Sequence, residues 1–371
     1  MQFPAELPQR MDEELTLDDA NLLMLPDEAK YNASLAMGRP IVDLFGSFWR
    51  KGEVAVLFGE RGTGKSLLAV QIAESIARGR PVLSIGNTGR RPQKVLYVDF
   101  QLSDDRFAER YLHPSPLLGK KPQKHRFKFL RTRVDWTDFA IPKAFKNDPD
   151  TFMRHSIYTL MQDQQTRVVV IDDVAGLSNR YTNSIAATRL MKTLRLWASH
   201  GFSILLVAGA RPPKRPRPLR ADDVTGSRVI TELADSVIAL GHSTASPSIR
   251  YLKHIASRAP ETLVDTGQVV NLLFREPEPP APNARSLRSV NNADNFLSFD
   301  ICGLAPETEH LRDREHSPPA RGGAPQSGGV VGGPRVSSPH VSKGPPQLPS
   351  AHRALSDGIL DGSYIKYLMG E

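Results

Sequence analysis

Lys65 and Ser66 close an eight-residue run, Gly59-Glu60-Arg61-Gly62-Thr63-Gly64-Lys65-Ser66, spaced as G-x-x-x-x-G-K-[ST]. Glycines at 59, 62 and 64 let the backbone curl into conformations closed to other residues, so that successive N–H groups turn inward toward an anion. Lys65 adds a fixed cation, and the Ser66 hydroxyl is a ligand for Mg²⁺. A helix starting here would place its positive dipole end under the same anion. With Leu67, the first apolar residue after the run, these positions make a binding site for the phosphates of a nucleoside triphosphate, with ATP and Mg²⁺ as the expected cofactors.

The flanks agree with that chemistry. Glu53-Val54-Ala55-Val56-Leu57-Phe58 is a short apolar run of the kind that forms a buried parallel strand. Downstream, Leu67, Leu68, Val70, Gln71, Ile72, Ile76 and Ala77 follow helical spacing up to the stop signal Arg78-Gly79. A second run, Val168-Val169-Val170-Ile171-Asp172-Asp173, has four aliphatics ending in two acids. Such a strand delivers a carboxylate to Mg²⁺ at its C-terminal edge, which assigns Asp172 to the metal and leaves Asp173 free to cap the next segment. In a third, Val95-Leu96-Tyr97-Val98-Asp99-Phe100-Gln101, Asp99 and Gln101 share one side of the strand. The ten histidines and Cys302 show no metal-ligand spacing.

The rest of the chain bounds the setting. Its 371 residues, 40% hydrophobic, are enough for one sizeable core with residues left over. A net charge of +8 and a pI near 9.6 favour a polyanionic partner, nucleic acid being the usual one. Cys302 alone cannot form an internal disulfide and fits a reducing compartment. No apolar run reaches the length of a membrane span, and the N-terminus lacks the basic start and apolar stretch of a signal peptide, so a cytoplasmic protein is expected.

Apolar runs at 53–58, 94–99, 167–172, 203–208, 236–240, 249–255 and 268–274 alternate with helical patterns. That rhythm predicts an α/β domain over 38–276, a mostly parallel central sheet with helices on both faces, extended antiparallel at one edge by the last closely spaced runs. Residues 1–37 read as an acidic N-terminal arm. Residues 277–350, rich in Pro, Gly and Ser, read as disordered, with Phe296-Leu297-Ser298-Phe299-Asp300-Ile301 as an apolar island. Residues 351–371 regain helical patterning as a short C-terminal segment.

Taken in order, the phosphate loop, "VLYVDFQLSDD", "VVVIDD", "ILLVAGA", "DDVTGSRVITELADSVIAL" and "YLKHIASR" resemble the RecA-like P-loop ATPases, and among them the RepA-type plasmid helicase and AAA_25 branch related to DnaB-like hexameric helicases. The resemblance spans about 38–276. It implies a RecA-like fold, ATP hydrolysis and a homo-oligomer in the form of a hexameric ring, working on single-stranded DNA. The strand containing Asp99 usually ends in a glutamate that polarises the attacking water; Gln101 stands there, and an amide orients water without accepting its proton. Asp99 is a substitute candidate. Ala208-Gly209-Ala210 replaces a usual γ-phosphate-sensing histidine. Lys253 and Arg258 match basic residues that relatives insert into a neighbour's ATP site.

DNA-facing loops are implied at Arg180 and Tyr181 and at Arg211-Pro212-Pro213-Lys214-Arg215-Pro216-Arg217-Pro218-Leu219-Arg220. In the second, Arg211, Lys214, Arg215, Arg217 and Arg220 alternate with prolines in a ribbon that cannot become a helix and presents charge to phosphates. A solvated basic loop is the plainer reading, and Lys120 to Lys128 reads as an ordinary exposed segment. Three functions are open to such a chain: a DNA motor, an ATP-dependent switch or loader in which Gln101 leaves hydrolysis negligible, and a small-molecule kinase. The kinase fits poorly for want of an arginine-rich lid.

Overall fold

The computed structural model describes residues 42–85, 91–111, 127–138, 140–213, 215–258, 267–276 and 296–311. The N-terminal arm, most of the Pro/Gly/Ser-rich stretch and the 351–371 segment lie outside the described residues. The described residues from Asp43 onward form one unit.

The organising strand is β3 (Val54–Gly59), every residue of which is buried. Its alternation splits the core in two. Ala55 and Leu57 face α1 (Lys65–Arg78) through Leu68, Ile72 and Ile76. Val54, Val56 and Phe58 face the opposite layer, where α3 (Pro149–Asp163) contributes Met153, Ile157 and Met161 and α5 (Ser184–Ser199) contributes Leu190, Leu194 and Trp197. A strand covered on both faces must be apolar at every position, which is why these runs read as continuous aliphatics. Before it, β1 (Asp43–Phe45) and β2 (Trp49–Arg50) form a small antiparallel pair.

The remaining strands are β4 (Val95–Asp99), β5 (Leu130–Arg133), β6 (Val168–Asp172), β7 (Ser203–Gly209), β8 (Ser236–His242), β9 (Ile249–Ser257), β10 (Gln268–Arg275) and β11 (Ser298–Pro306). Among the described residues they form a nine-stranded sheet in the order β11-β10-β9-β8-β3-β7-β6-β4-β5. The six strands from β8 to β5 run parallel, and β9, β10 and β11 add antiparallel to them. This is the mostly parallel α/β sheet that the strand-helix rhythm predicts, and it fits the RecA-like fold that the resemblance implies. Because β3 is followed in sequence by β4, yet lies beside β7 and β8, a crevice opens at the C-terminal ends of the parallel strands. Open α/β sheets bind ligands in such a place.

Two strands depart from the expectation. Leu130-Arg131-Thr132-Arg133 forms the edge strand β5, although its pattern is too polar to read as one. Part of the stretch expected to be disordered is ordered: β11 pairs along the whole of β10, from Gln268 with Pro306 to Arg275 with Ser298. The apolar island supplies the reason. Phe299 is fully buried, its ring 4.6 Å from that of Phe274, and the Gln71 side chain of α1 accepts from its N–H at 2.9 Å and donates to its carbonyl at 2.8 Å. An edge strand is thereby tied across the helix that comes after the phosphate loop.

Phe299→Ala should therefore destabilise the fold by about 3–5 kcal/mol, the usual cost of emptying a large buried aromatic site. Urea denaturation of the full chain measures it; a loss below about 1 kcal/mol would mean that β11 is dispensable to the core.

Candidate active site

The phosphate loop leaves β3 at Gly59, where a side chain is barred: a Cβ there would lie 2.4 Å from the carbonyl oxygen of Leu240 on the neighbouring strand β8. The Glu60 carbonyl then gathers the loop. It accepts from the Thr63 hydroxyl at 2.9 Å and from Lys65 Nζ at 2.8 Å. Gly64 takes φ +97° as the residue before α1, a conformation open to glycine, and a Cβ on it would press to 2.7 Å from Phe299. No side chain caps α1, so the first-turn N–H groups remain available to an anion. Burial lowers the Lys65 pKa, while Asp172, Asp173 and Glu60 favour its charged form.

Strand β6 delivers Asp172 to the same place. It is 2% exposed, hydrogen-bonded to the Ser66 side chain, and accepts from the Tyr97 hydroxyl at 2.7 Å. Burial raises its pKa to about 6, although the bonds to Ser66 and Tyr97 pull it down; Asp99 and Asp173 add to the rise. Asp173 takes the capping role, its carboxylate accepting from Gly176 N–H at 3.2 Å to start α4 (Val174–Leu177). Ser66 and Asp172, drawn from elements more than a hundred positions apart in the chain, thus meet beside Lys65. A hydroxyl, a carboxylate whose charge is penalised by burial, and an adjacent phosphate cradle are a donor set that suits Mg²⁺ with a nucleotide. When bound, the ion would offset charge on the phosphate oxygens.

The neighbouring strand β4 ends in register with β6, Asp99 opposite Asp172. Here the structure corrects the reading of Asp99 as a substitute base. It is buried, with Oδ1 accepting from the N–H groups of Gln101 at 2.8 Å and Leu102 at 2.9 Å, and Oδ2 held by Arg131 at 2.9 Å. Arg131 also reaches Asp104 at 2.5 Å in α2 (Asp104–Tyr111) and lies 4.2 Å over the Phe107 ring. With both oxygens engaged, Asp99 shapes the turn instead of taking protons. Gln101 is exposed on that turn, and a cleft of about 290 Å³ beside it is lined by Phe100, Leu102, Val134 and Trp136.

The loop after β7 is less free than its sequence implies. Ala210 bridges to Val224, and Leu219 is buried. Arg217 is bound to Asp223 through two bonds, at 3.0 and 2.5 Å, which removes it from the set of free cations. Arg211, Arg215 and Arg220 are exposed; Lys214 lies outside the described residues. The loop packs beside Thr225-Gly226-Ser227: Arg211 donates to the Gly226 carbonyl at 3.4 Å, and Ser227 N–H to the Tyr181 carbonyl at 3.2 Å. Tyr181 presses its ring on Gly226, a packing role, while Arg180 beside it is exposed.

Lys253 and Arg258 part company. Lys253 forms an ion pair with Glu307, just past β11, and donates to the Leu219 carbonyl at 2.9 Å. A cation so held within its own chain is not free to enter a neighbour's site, which corrects that assignment. Arg258 has a side chain 47% exposed and, among the described residues, pairs loosely with Asp235 at 3.6 Å.

Residues 20–211, more than half of the chain, match the AAA_25 family, described as an AAA domain. The chain belongs to the AAA_25 family. It is thus an AAA-type P-loop ATPase, with its phosphate loop, Asp99, Gln101, Asp172 and Arg180 inside the matched range and Lys253 and Arg258 beyond it. No curated protein matches the sequence. Among the described residues of this AAA_25 chain, no helix is long and apolar enough to cross a membrane, and no cluster of His, Cys, Asp and Glu is built for a metal by itself.

Sequence reasoning misses three groups at the site. Tyr97 holds Asp172, Phe299 abuts Gly64, and Arg250 of β9 donates to the Thr63 carbonyl at 3.2 Å. Only Arg250 leaves a trace in the sequence, as a cation interrupting an apolar strand run.

Proposed function

We propose that this protein is an ATP-hydrolysing motor of the RepA-like, DnaB-related kind, working on single-stranded DNA in the cytoplasm as a homo-oligomer, with a hexameric ring as the expected form. The observation that carries the ATPase part is the meeting of Ser66 and Asp172 beside Lys65 at the mouth of the phosphate loop. Lys65 and the loop N–H groups would hold the β- and γ-phosphates. Ser66 and Asp172 would hold Mg²⁺. Gln101, one strand away, would orient water.

The oligomer is inferred from a distance. Arg250 lies at the phosphate loop near the start of β9, and Arg258 directly follows the far end of that strand, eight residues on and about 26 Å away at ~3.3 Å per residue. Arg258 cannot serve the nucleotide of its own chain. An arginine that contributes charge to the γ-phosphate would do so in a neighbouring copy.

Support for DNA rests on the exposed Arg211, Arg215 and Arg220, with Arg180 nearby, and on the net charge of +8. Contacts to phosphates tolerate any sequence and weaken with salt. For single strands log K should fall against log salt by about 0.7 per phosphate neutralised. Replacing Arg215 and Arg220 by alanine should flatten that slope by roughly one to two units and leave MgATP binding intact. Unchanged affinity and unchanged salt dependence in that double variant would reduce the loop to a solvated ribbon.

A second reading has its own observation. With Asp99 fully engaged, the β4 end presents an amide and no free carboxylate. A switch or loader that binds ATP and hydrolyses it slowly is what such an arrangement would make.

A further inference from the structure

Beside the phosphate loop lies a buried cation with no carboxylate to pair it among the described residues. Arg250 is 8% exposed. Its Nε donates to the Thr63 carbonyl at 3.2 Å, and one terminal nitrogen donates to the carbonyls of Pro247 at 2.7 Å and Ile249 at 2.8 Å. Its guanidinium carbon lies 4.6 Å from the centroid of the Phe274 ring. All of these partners are neutral. Burial lowers its pKa with no acidic group acting against the shift. Buried charges are ordinarily paired, because taking an ion out of water is expensive.

The bond to Thr63 gives this charge a direction. In a trans peptide the C=O and N–H point to opposite sides, and the Thr63–Gly64 bond is trans, the sole cis peptide among the described residues being Asp172–Asp173. A guanidinium on the Thr63 oxygen therefore leaves the Gly64 N–H facing away from Arg250. That N–H meets no backbone acceptor among the described residues. A cation bound to the carbonyl end of a peptide also polarises it, strengthening the N–H at the other end as a donor to an anion.

We propose that Arg250 is a positioning residue for the triphosphate: it holds the Thr63–Gly64 peptide with its N–H turned toward the β- and γ-phosphates, and the anion offsets its buried charge. The proposal rests on the reading of residues 59–66 as the ATP site. It assigns an antiparallel strand outside the matched family range a part in phosphate recognition.

The test uses the full chain with Arg250→Met, Arg250→Gln and Arg250→Lys, titrated with AMP, MgADP and MgATP, together with thermal melts free of nucleotide. Charge-directed positioning predicts that the Met and Gln variants lose about tenfold in MgATP affinity, less for MgADP and little for AMP. The Lys variant should recover most of the loss. The melt of the Met variant should stay at or above that of the parent, since an unpaired buried charge has been removed. Equal losses for all three nucleotides with a lowered melt, or no loss at all, would overturn the proposal. Should the Met variant fail to fold, the Gln variant, which keeps donors for the carbonyls but no charge, decides the matter on the same pattern. Lys65→Ala beside them separates the two levels: if it leaves MgATP affinity intact, the phosphate-site reading fails, whereas its loss of affinity with unaltered Arg250 variants rejects only the role of Arg250.

Discussion

Lys65→Ala is expected to lower MgATP turnover by about 10²–10³-fold, the usual consequence of removing one preorganised charge donor from a site where charge develops. Lys65 is the cation that the Glu60 carbonyl holds inside the loop at 2.8 Å, and its charge is favoured by Asp172, Asp173 and Glu60. The fold should survive, because Lys65 is only partly buried and packs no core. The same variant probes the neighbour role of Arg258. Mixing Lys65→Ala with Arg258→Ala chains should restore part of the activity that each lacks alone, since a mixed interface can join an intact loop to an intact arginine. Turnover of Lys65→Ala equal to that of the parent would remove the site assignment, and mixtures no more active than their components would confine Arg258 to its own chain.

Gln101→Glu should raise ATP turnover by about 10²-fold, the typical contribution of a positioned general base. Gln101 is exposed at the end of β4, directly after Phe100, whose N–H is bonded to the Asp172 carbonyl at 2.7 Å. A carboxylate there would stand one strand from the Mg²⁺ ligand without disturbing any bond that the Gln101 side chain makes. The sensitivity of this strand end also predicts what Asp99→Asn does. It should loosen the turn, because the amide oxygen can still accept from the Gln101 and Leu102 N–H groups but the new NH₂ faces the Arg131 guanidinium where Oδ2 accepted from it. Steady-state turnover of Gln101→Glu no higher than that of the parent would place the water elsewhere.

The phosphate loop, the parallel strands and Asp172 were legible in the sequence because each is encoded locally. Eight consecutive residues specify the loop, and strands buried on both faces announce themselves as aliphatic runs such as Val168 to Ile171. What the sequence hid depends on partners brought in by folding. Asp99 looks like a free acid until Arg131, 32 positions away, closes on it. Lys253 looks available until Glu307, 54 positions on, pairs with it. Arg217 sits in a row of cations, yet Asp223 claims it. β11 showed only as the apolar island Phe296 to Ile301, its pairing masked by the Pro/Gly-rich stretch around it, and burial of Phe299 against Phe274 and Gly64 together with the two Gln71 bonds explains its order. Arg250 shows in the sequence as a cation in an apolar strand run, but its place at the site does not, because its partners are carbonyls, which every sequence position supplies.

Removing Asp99 from the candidate bases leaves the β4 end with Gln101, so if the proposed ring holds, an isolated subunit should turn over slowly, and assembly on a polyanion should be the condition for speed. The exposed arginines at 211, 215 and 220 lie on the loop after β7, which directly neighbours the phosphate-loop strand β3. In the proposed motor, DNA bound at that loop would be placed to be felt at the nucleotide.

The steady-state rate of MgATP hydrolysis by the full chain, measured with and without single-stranded DNA at low salt, decides whether DNA drives this ATPase. A slow basal rate is expected, which DNA raises severalfold and which rising salt returns to the basal level as the phosphate contacts are screened. A rate that is the same with and without DNA at every salt concentration would contradict a DNA-dependent motor.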